Sequence, residues 1–451
     1  MFDADESDPM TVSPVSIAAT PQGARAHWLT LERMRLYAGA MLIAQLSIVC
    51  AWAWITQGFT LETIVRPGAD FSVFWSASHL LRGAGALAVY DYAQLQPVIA
   101  AHGSVPPDSG FYLPWLYPPT FLWVVLPLSL LPFAASYFAF IGLSAAGYLA
   151  ALLRMTALAA PPTAARGAVL LSLLAFPGLF LAATIGQNAL LTAALAAWAL
   201  VLLPRRPVLA GVLIGLLAIK PQLALMFPVA LIAGREWRAL AAAALSAATL
   251  AAASIAAFGW QTVPAFVSAT GQVADMLIHE GIRAWYVSPT LLASVRLAGG
   301  APALAYALQA VLTLATIGAL ACVWRRQRDT GLRTAALALA AMLATPYLWY
   351  YELAWLGMAV TGLAVEGVRR GWMPGERLLL VALWCMPLLM FANALAQQWQ
   401  GGVQLLALGM AAVLRRAWRA GTGDADSVPA DVATDVAADV GTHKGNGHVT
   451  T

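Results

Sequence analysis

The sequence predicts an all-α polytopic membrane protein of about twelve transmembrane helices, with amphipathic helices in its first outer loop. Three observations predict it. The 451-residue chain is 61% hydrophobic and 10% charged, with a mean hydropathy of +0.74, whereas a soluble domain carries about 25% charged residues. Uncharged runs cover 109–153, 167–204, 239–274, 297–324 and 378–414, each at least as long as the roughly 20 residues a spanning helix needs. Polarity does not alternate along these runs, which excludes the strands of a membrane barrel. The net charge of +4 sits in short clusters between apolar runs, an orientation signal rather than a nucleic-acid surface. Cys50, Cys322 and Cys385 are far apart in apolar segments, so neither a disulfide framework nor a zinc spacing exists.

Residues 1–33 are acidic and then rich in Pro, Ala and Ser, and are expected to form a disordered cytoplasmic tail. Arg25, Arg33 and Arg35 precede a first span at 36–57, which reads as a signal-anchor with the N-terminus in the cytoplasm. Residues 58–116 then leave the membrane as a first outer loop bearing Glu62, Arg66, Asp70, His79, Arg82, Asp91, His102 and Asp108. Within it, 71–81 is amphipathic. Ser72, Ser76 and His79 form a polar stripe opposite Phe71, Phe74 and Trp75, so a helix lying flat on the outer leaflet is expected. A second short helix is expected at 90–101.

Residues 120–131 and 133–153 form two segments divided by Pro132, of which one is expected to be re-entrant or partial. Further segments fall at 167–183, 187–203, 208–219, 223–233 and 237–258. A second outer loop spans 259–300, followed by segments at 303–324, 334–344, 351–365, 378–396 and 403–414. Residues 420–451 read as a second disordered cytoplasmic tail.

The clusters Arg154/Arg166, Arg205/Arg206, Arg235/Arg238, Arg325/Arg326/Arg328/Arg333, Arg369/Arg370/Arg377 and Arg415/Arg416/Arg419 fall at every second connection. All are then cytoplasmic, and the breaks at 186–188, 220–221 and 345–346 all face outward. Several segments hold only about twelve to fifteen residues and reach roughly 18–22 Å. Their outward ends are therefore expected below the membrane surface, around a polar cavity.

Lys220 lies in the otherwise apolar stretch 208–233, where a charge costs about 2.5 kcal/mol or more near the bilayer centre. Pro221 breaks the helix beside it. Two readings stand: a cation facing a site at a helix break, or a lysine whose amine snorkels to the headgroups. The candidate polar set around the outward breaks is Asp70, Gln187, Asn188, Lys220, Gln222, Ser288, Tyr347, Tyr350 and Glu352. One carboxylate and one cation in a partly dry site suit transfer between a hydroxyl and an anionic lipid-linked donor. The carboxylate takes the proton, and the cation and amides hold the phosphate.

These residues also carry a resemblance. Asp70-Phe71, Phe74-Trp75 and Ala88-Val89-Tyr90-Asp91 are followed by Tyr117-Pro118-Pro119 and Gly186-Gln187-Asn188. Ala210-Gly211, Gly215 and Ile219-Lys220-Pro221-Gln222 come next, then Ser288, Ala344-Thr345-Pro346-Tyr347 and Tyr350-Tyr351-Glu352. This ordered set, over roughly 69–356, resembles the family 87 glycosyltransferases. The resemblance implies a GT-C-type bundle over 34–419. It also implies inverting transfer of a hexose, with mannose the expected sugar, from a polyprenyl-phosphate donor to a hydroxyl of a glycolipid or glycan. The implied location is the outer face of the bacterial plasma (inner) membrane, with both termini cytoplasmic. The family's base aspartate on the first outer loop corresponds to Asp70. Lys220, Gln222, Gln187, Asn188 and Arg283 are the expected donor contacts. Tyr117, Ser288, Tyr347, Tyr350 and Glu352 are expected to assist or to bind the acceptor. Related proteins often carry histidine or Tyr-Asp where this chain has Tyr350-Tyr351-Glu352. No metal or other cofactor is expected, because no carboxylate cluster has ligand spacing.

Plainer roles stand beside these. Asp70 can cap a helix starting at Phe71; Gln187 and Asn188 can cap or bridge helices; Glu352 can pair with a tyrosine or cation. Arg283 can meet a lipid headgroup, His79 and His279 can be interfacial, and Tyr117-Pro118-Pro119 can set a re-entry angle. A lipid-linked-sugar flippase and a non-catalytic scaffold are the alternative functions. The first has no evident inverted repeat in its favour.

Overall fold

Backbone amides in lipid must be satisfied within their own segment, and the apolar runs accordingly fold as helices. The structure, a computed structural model, describes residues 28–60, 65–102, 112–159, 163–281, 285–396 and 401–419. No strand occurs among them. The expected tails 1–27 and 420–451 lie outside the described residues, as do Glu62, Asp108 and Arg283.

Leu31–Ile55, Phe133–Ala159, Ala165–Ile185, Trp237–Phe258, Pro302–Arg326 and Glu376–Asn393 are each long and apolar enough to cross a membrane. Shorter apolar segments run Pro119–Leu130, Ala189–Leu202, Pro207–Ile219, Pro221–Gly234 and Thr330–Ala344. Proline marks the first turn of five helices, at Pro119, Pro177, Pro207, Pro221 and Pro302, where its missing N–H costs nothing. The division at Pro132 is present: a helix of only seven residues, Pro119–Val125, precedes Phe133–Thr156.

Several boundaries differ from the sequence reading. The first helix begins at Leu31 and takes three residues from the expected tail, since Glu32 is favourable in a first turn. The segment expected at 167–183 is broken into Thr163–Leu174 and Pro177–Ile185. The second outer loop contains a 19-residue helix, Thr262–Glu280, whose Val273 and Ile278 are buried. Its Ser, Thr and Gly content hid that periodicity. A second helix there, Leu291–Leu297, is capped by Thr290, whose Oγ1 accepts from Ala293 N at 3.1 Å.

The expected flat surface helix is corrected most. Ala69–Gly83 is enclosed by protein, with Phe71 through Ser78 buried on both stripes. Phe71 packs against Phe133, Tyr137 and Phe140, and Phe74 against Trp115, Tyr117 and Phe121. Ser72 donates to Ala69 O at 2.5 Å and Ser78 to Leu126 O at 2.9 Å, while Ser76 Oγ is buried with no hydrogen-bond partner among the described residues. Small hydroxyls that bond backbone carbonyls can be buried on both faces, which an amphipathic pattern alone does not reveal.

Thr330–Ala344 lies at the centre, with every residue from Gly331 to Leu343 buried. From Ala335 to Ala344 the helix is apolar on all sides, as such a position requires. Close approach is visible where Gly215 of Pro207–Leu216 meets Trp237–Phe258, since a Cβ there would stand 2.5 Å from Ser246 Cβ.

The arginine-bearing connections converge. Arg333 pairs with Glu236 at 2.9 Å, Arg369 with Asp329 at 2.5 Å and Arg416 with Glu376 at 2.5 Å. Gln327 Nε2 donates to Ala417 O at 2.8 Å and Arg416 Nη2 to Gly371 O at 2.9 Å. Connections 234–238, 326–333, 369–376 and the end of the last helix thus share one cluster. The alternate connections meet elsewhere.

Candidate active site

All five shorter apolar segments end beside one polar network, and this accounts for their length. Tyr117 precedes Pro119–Leu130 and Asn188 precedes Ala189–Leu202. Lys220 separates Pro207–Ile219 from Pro221–Gly234, and the chain leaving Thr330–Ala344 leads to Glu352.

The network starts at Asp70, in the first turn of Ala69–Gly83. The expected cap at Phe71 is not formed. The helix starts two residues earlier, Gly68 occupies the cap position, and no side chain caps it. Asp70 Oδ2 instead accepts from Gln187 Nε2 at 2.7 Å. Gln187 Oε1 accepts from Tyr117 OH at 3.1 Å and from Asn188 N at 2.9 Å. Asn188 Oδ1 accepts from Lys220 Nζ at 3.0 Å. Lys220 Nζ also stands 2.7 Å from Glu352 Oε1, while Glu352 Oε2 accepts from Trp349 N at 2.9 Å. The Tyr117 and Tyr351 rings flank the ammonium, with centroids at 5.7 and 5.9 Å. Lys220 is 4% exposed and Glu352 2%, whereas Asp70 and Tyr117 are only half-buried. The lysine therefore does not snorkel; its charge is held inside by a carboxylate, an amide and two aromatic faces.

Asp70 lies outside the candidate spans. Burial pushes its carboxyl up from 3.8 to about 6, against the hydrogen bond from Gln187 and the Lys220 charge, with Glu352 adding to the rise. Asn188 is fully buried, and its Nδ2 has no hydrogen-bond partner among the described residues. Lysine can only donate, so Oδ1 must face Nζ and the free amide nitrogen is fixed as a donor.

The turn that carries Gln187 is set by Gly186. This residue ends Pro177–Ile185 in the left-handed region at φ +82, its N–H donating to Ala182 O and Ala183 O. A Cβ there would lie 2.6 Å from Phe71 Cβ. Gly186→Ala is therefore expected to destabilise the protein by at least about 2 kcal/mol, through left-handed strain and overpacking. Chemical unfolding in detergent checks this; an unchanged midpoint would show that the turn relaxes freely.

The other expected site residues are placed apart or only beside this network. The Gln222 side chain is exposed, and its backbone carbonyl accepts from Thr345 Oγ1 at 3.5 Å. Ser288 is buried against Thr290, with their hydroxyls 3.2 Å apart. Tyr347 OH meets Tyr306 OH at 2.5 Å, and its ring tilts over Trp285 at 6.0 Å. Ser288 thus sits in the second outer segment, and Tyr347, which follows Thr330–Ala344, packs against that segment's Trp285. Tyr350 is buried between Tyr351 and Phe391. Tyr351 is the contact that the sequence reading did not single out. Its position beside Glu352 in a helix-start turn was the available signal.

A family model described as glycosyltransferase family 87 matches residues 115–346, just over half of the chain. The chain belongs to glycosyltransferase family 87. The matched region holds Tyr117, Gln187, Asn188 and Lys220, while Asp70 and Glu352 lie on either side of it. Within this family 87 chain, the helix breaks of the matched region are thus completed by residues from beyond it. No curated protein and no solved structure matches the chain.

Proposed function

We propose that this family 87 protein transfers a hexose, with mannose the first candidate, from a polyprenyl-phosphate donor to a hydroxyl of a glycolipid or glycan acceptor. The reaction inverts the anomeric carbon and takes place on the outer face of the plasma membrane. The observation that carries the reading is the single network joining Asp70 to Lys220 through Gln187 and Asn188. Asp70, half-buried at a helix start, accepts the acceptor proton. Lys220, closed off behind it, adds positive potential where phosphate charge develops on departure. The phosphate is a good leaving group and needs no protonation.

The test is incubation of purified protein with a panel of polyprenyl-phosphate hexoses, followed for transfer or hydrolysis. Liposomes carrying labelled donor read movement separately. Donor movement without product would replace the transferase with a flippase.

A pH dependence follows. Transfer is expected to rise with pH through about 6 as Asp70 loses its proton, and to level above it. The raised carboxyl has the opposite effect on folding. Its contribution to stability is complete below the unfolded value of 3.8 and is lost as pH rises through about 6. Initial rates and melting midpoints across that interval check both signs.

A further inference from the structure

The Gln187 amide is oriented by groups that allow only one direction. Asn188 N–H donates to Oε1 at 2.9 Å, and a backbone N–H cannot accept. Tyr117 OH meets the same oxygen at 3.1 Å. Nε2 therefore faces Asp70, 2.7 Å from Oδ2, and presents a donor that favours the ionised carboxylate. Among the described residues Asp70 Oδ1 receives no hydrogen bond from the protein. The charges and ionisable groups around Asp70 are Lys220, Glu352, Tyr117, Tyr350 and Tyr351. Burial raises the Asp70 carboxyl, and the Gln187 bond opposes that rise more strongly than the Lys220 charge does.

We propose that Gln187 is a positioning residue, not a donor contact: it fixes Asp70 through Oδ2, keeps it ionised and leaves Oδ1 to the acceptor hydroxyl. This role rests on Asp70 being the base. In the step it serves, the acceptor oxygen bonds the anomeric carbon and the bond from that carbon to the phosphate oxygen breaks. Its electron pair leaves on the phosphate, and the hydroxyl proton passes to Oδ1. Among the described residues, the three side-chain hydrogen bonds of Gln187 all run to the protein, which is what a positioning role requires.

The experiment uses the full chain in detergent and dicyclohexylcarbodiimide, which attacks protonated carboxyls. Modification of the Asp70 peptide is followed by mass spectrometry against pH. In the native chain the half-modification point is expected near 6. Gln187→Met keeps the side-chain length and removes the donor; the midpoint is expected to rise by about one pH unit. Gln187→Glu keeps the acceptor for Asn188 N–H and so protects the turn, but faces Asp70 with a second carboxylate. It is expected to raise the midpoint at least as far. Where transfer is measurable, Gln187→Met is expected to lower kcat about fivefold at pH 6, recovering at higher pH, with the donor KM unchanged. Midpoints in both variants equal to the native one would overturn the proposal, as would a raised donor KM with an unshifted profile. The modification readout needs no turnover. A shifted midpoint in a protein that transfers no sugar therefore removes the transferase reading and leaves the positioning contact standing.

Discussion

Asp70→Asn is expected to lower sugar transfer by about a thousandfold or more while the protein still folds. A positioned general base contributes about 10²–10⁴-fold, and an asparagine amide cannot take a proton. The substitution is isosteric, and its carbonyl can still accept from Gln187 Nε2, which now stands 2.7 Å from Oδ2. Removing a half-buried charge whose ionisation burial disfavours leaves stability equal or slightly raised. Turnover with a polyprenyl-phosphate hexose and a melting curve on the same preparation check both halves. Retained turnover in a folded variant removes Asp70 as the base, and the mechanism with it.

Lys220→Met carries the second large effect, on stability and activity together. The ammonium is 2.7 Å from Glu352 Oε1 and both side chains are closed to solvent. Removing one partner of a buried pair leaves an uncompensated charge and costs about 3–5 kcal/mol. Glu352→Gln in the Lys220→Met background removes that charge while leaving an oxygen for Trp349 N–H, now 2.9 Å from Oε2. The double variant is expected to regain most of the lost stability. Transfer is not expected to return, because the cation that lowers the Asp70 carboxyl and supports the departing phosphate is absent. Unfolding midpoints and turnover for the two singles and the double form the cycle. Equal midpoints for Lys220→Met and the double variant would mean that Glu352 does not depend on Lys220.

Much of this site was legible from spacing. A lysine followed by proline inside an apolar run marks both a break and a charge that needs a partner, and Lys220 has both. Apolar segments too short to cross pointed to helix ends below the surface, and those ends meet at Tyr117, Asn188, Lys220 and Glu352. The sequence reading set two possible partners for Glu352, a tyrosine or a cation; the structure selects the cation. It also assigned Gln222 to the same group as Lys220, two residues away. The turn at Pro221 sends that side chain outward, a direction that depends on local backbone angles rather than on composition.

By itself, the sequence determined that this chain lives in a membrane, that it folds as helices, where most of them break, and that its arginines alternate with those breaks. Each of these follows from a segment's own exchange with water or lipid, which composition and spacing record directly. Only the tertiary structure decided that Ala69–Gly83 is enclosed rather than surface-bound, that Gln187 faces Asp70 from 117 positions along the chain, and that Lys220 is neutralised by Glu352. Those outcomes depend on which distant helix ends are packed together and on the direction of single donors and acceptors. Hydropathy carries no information about either.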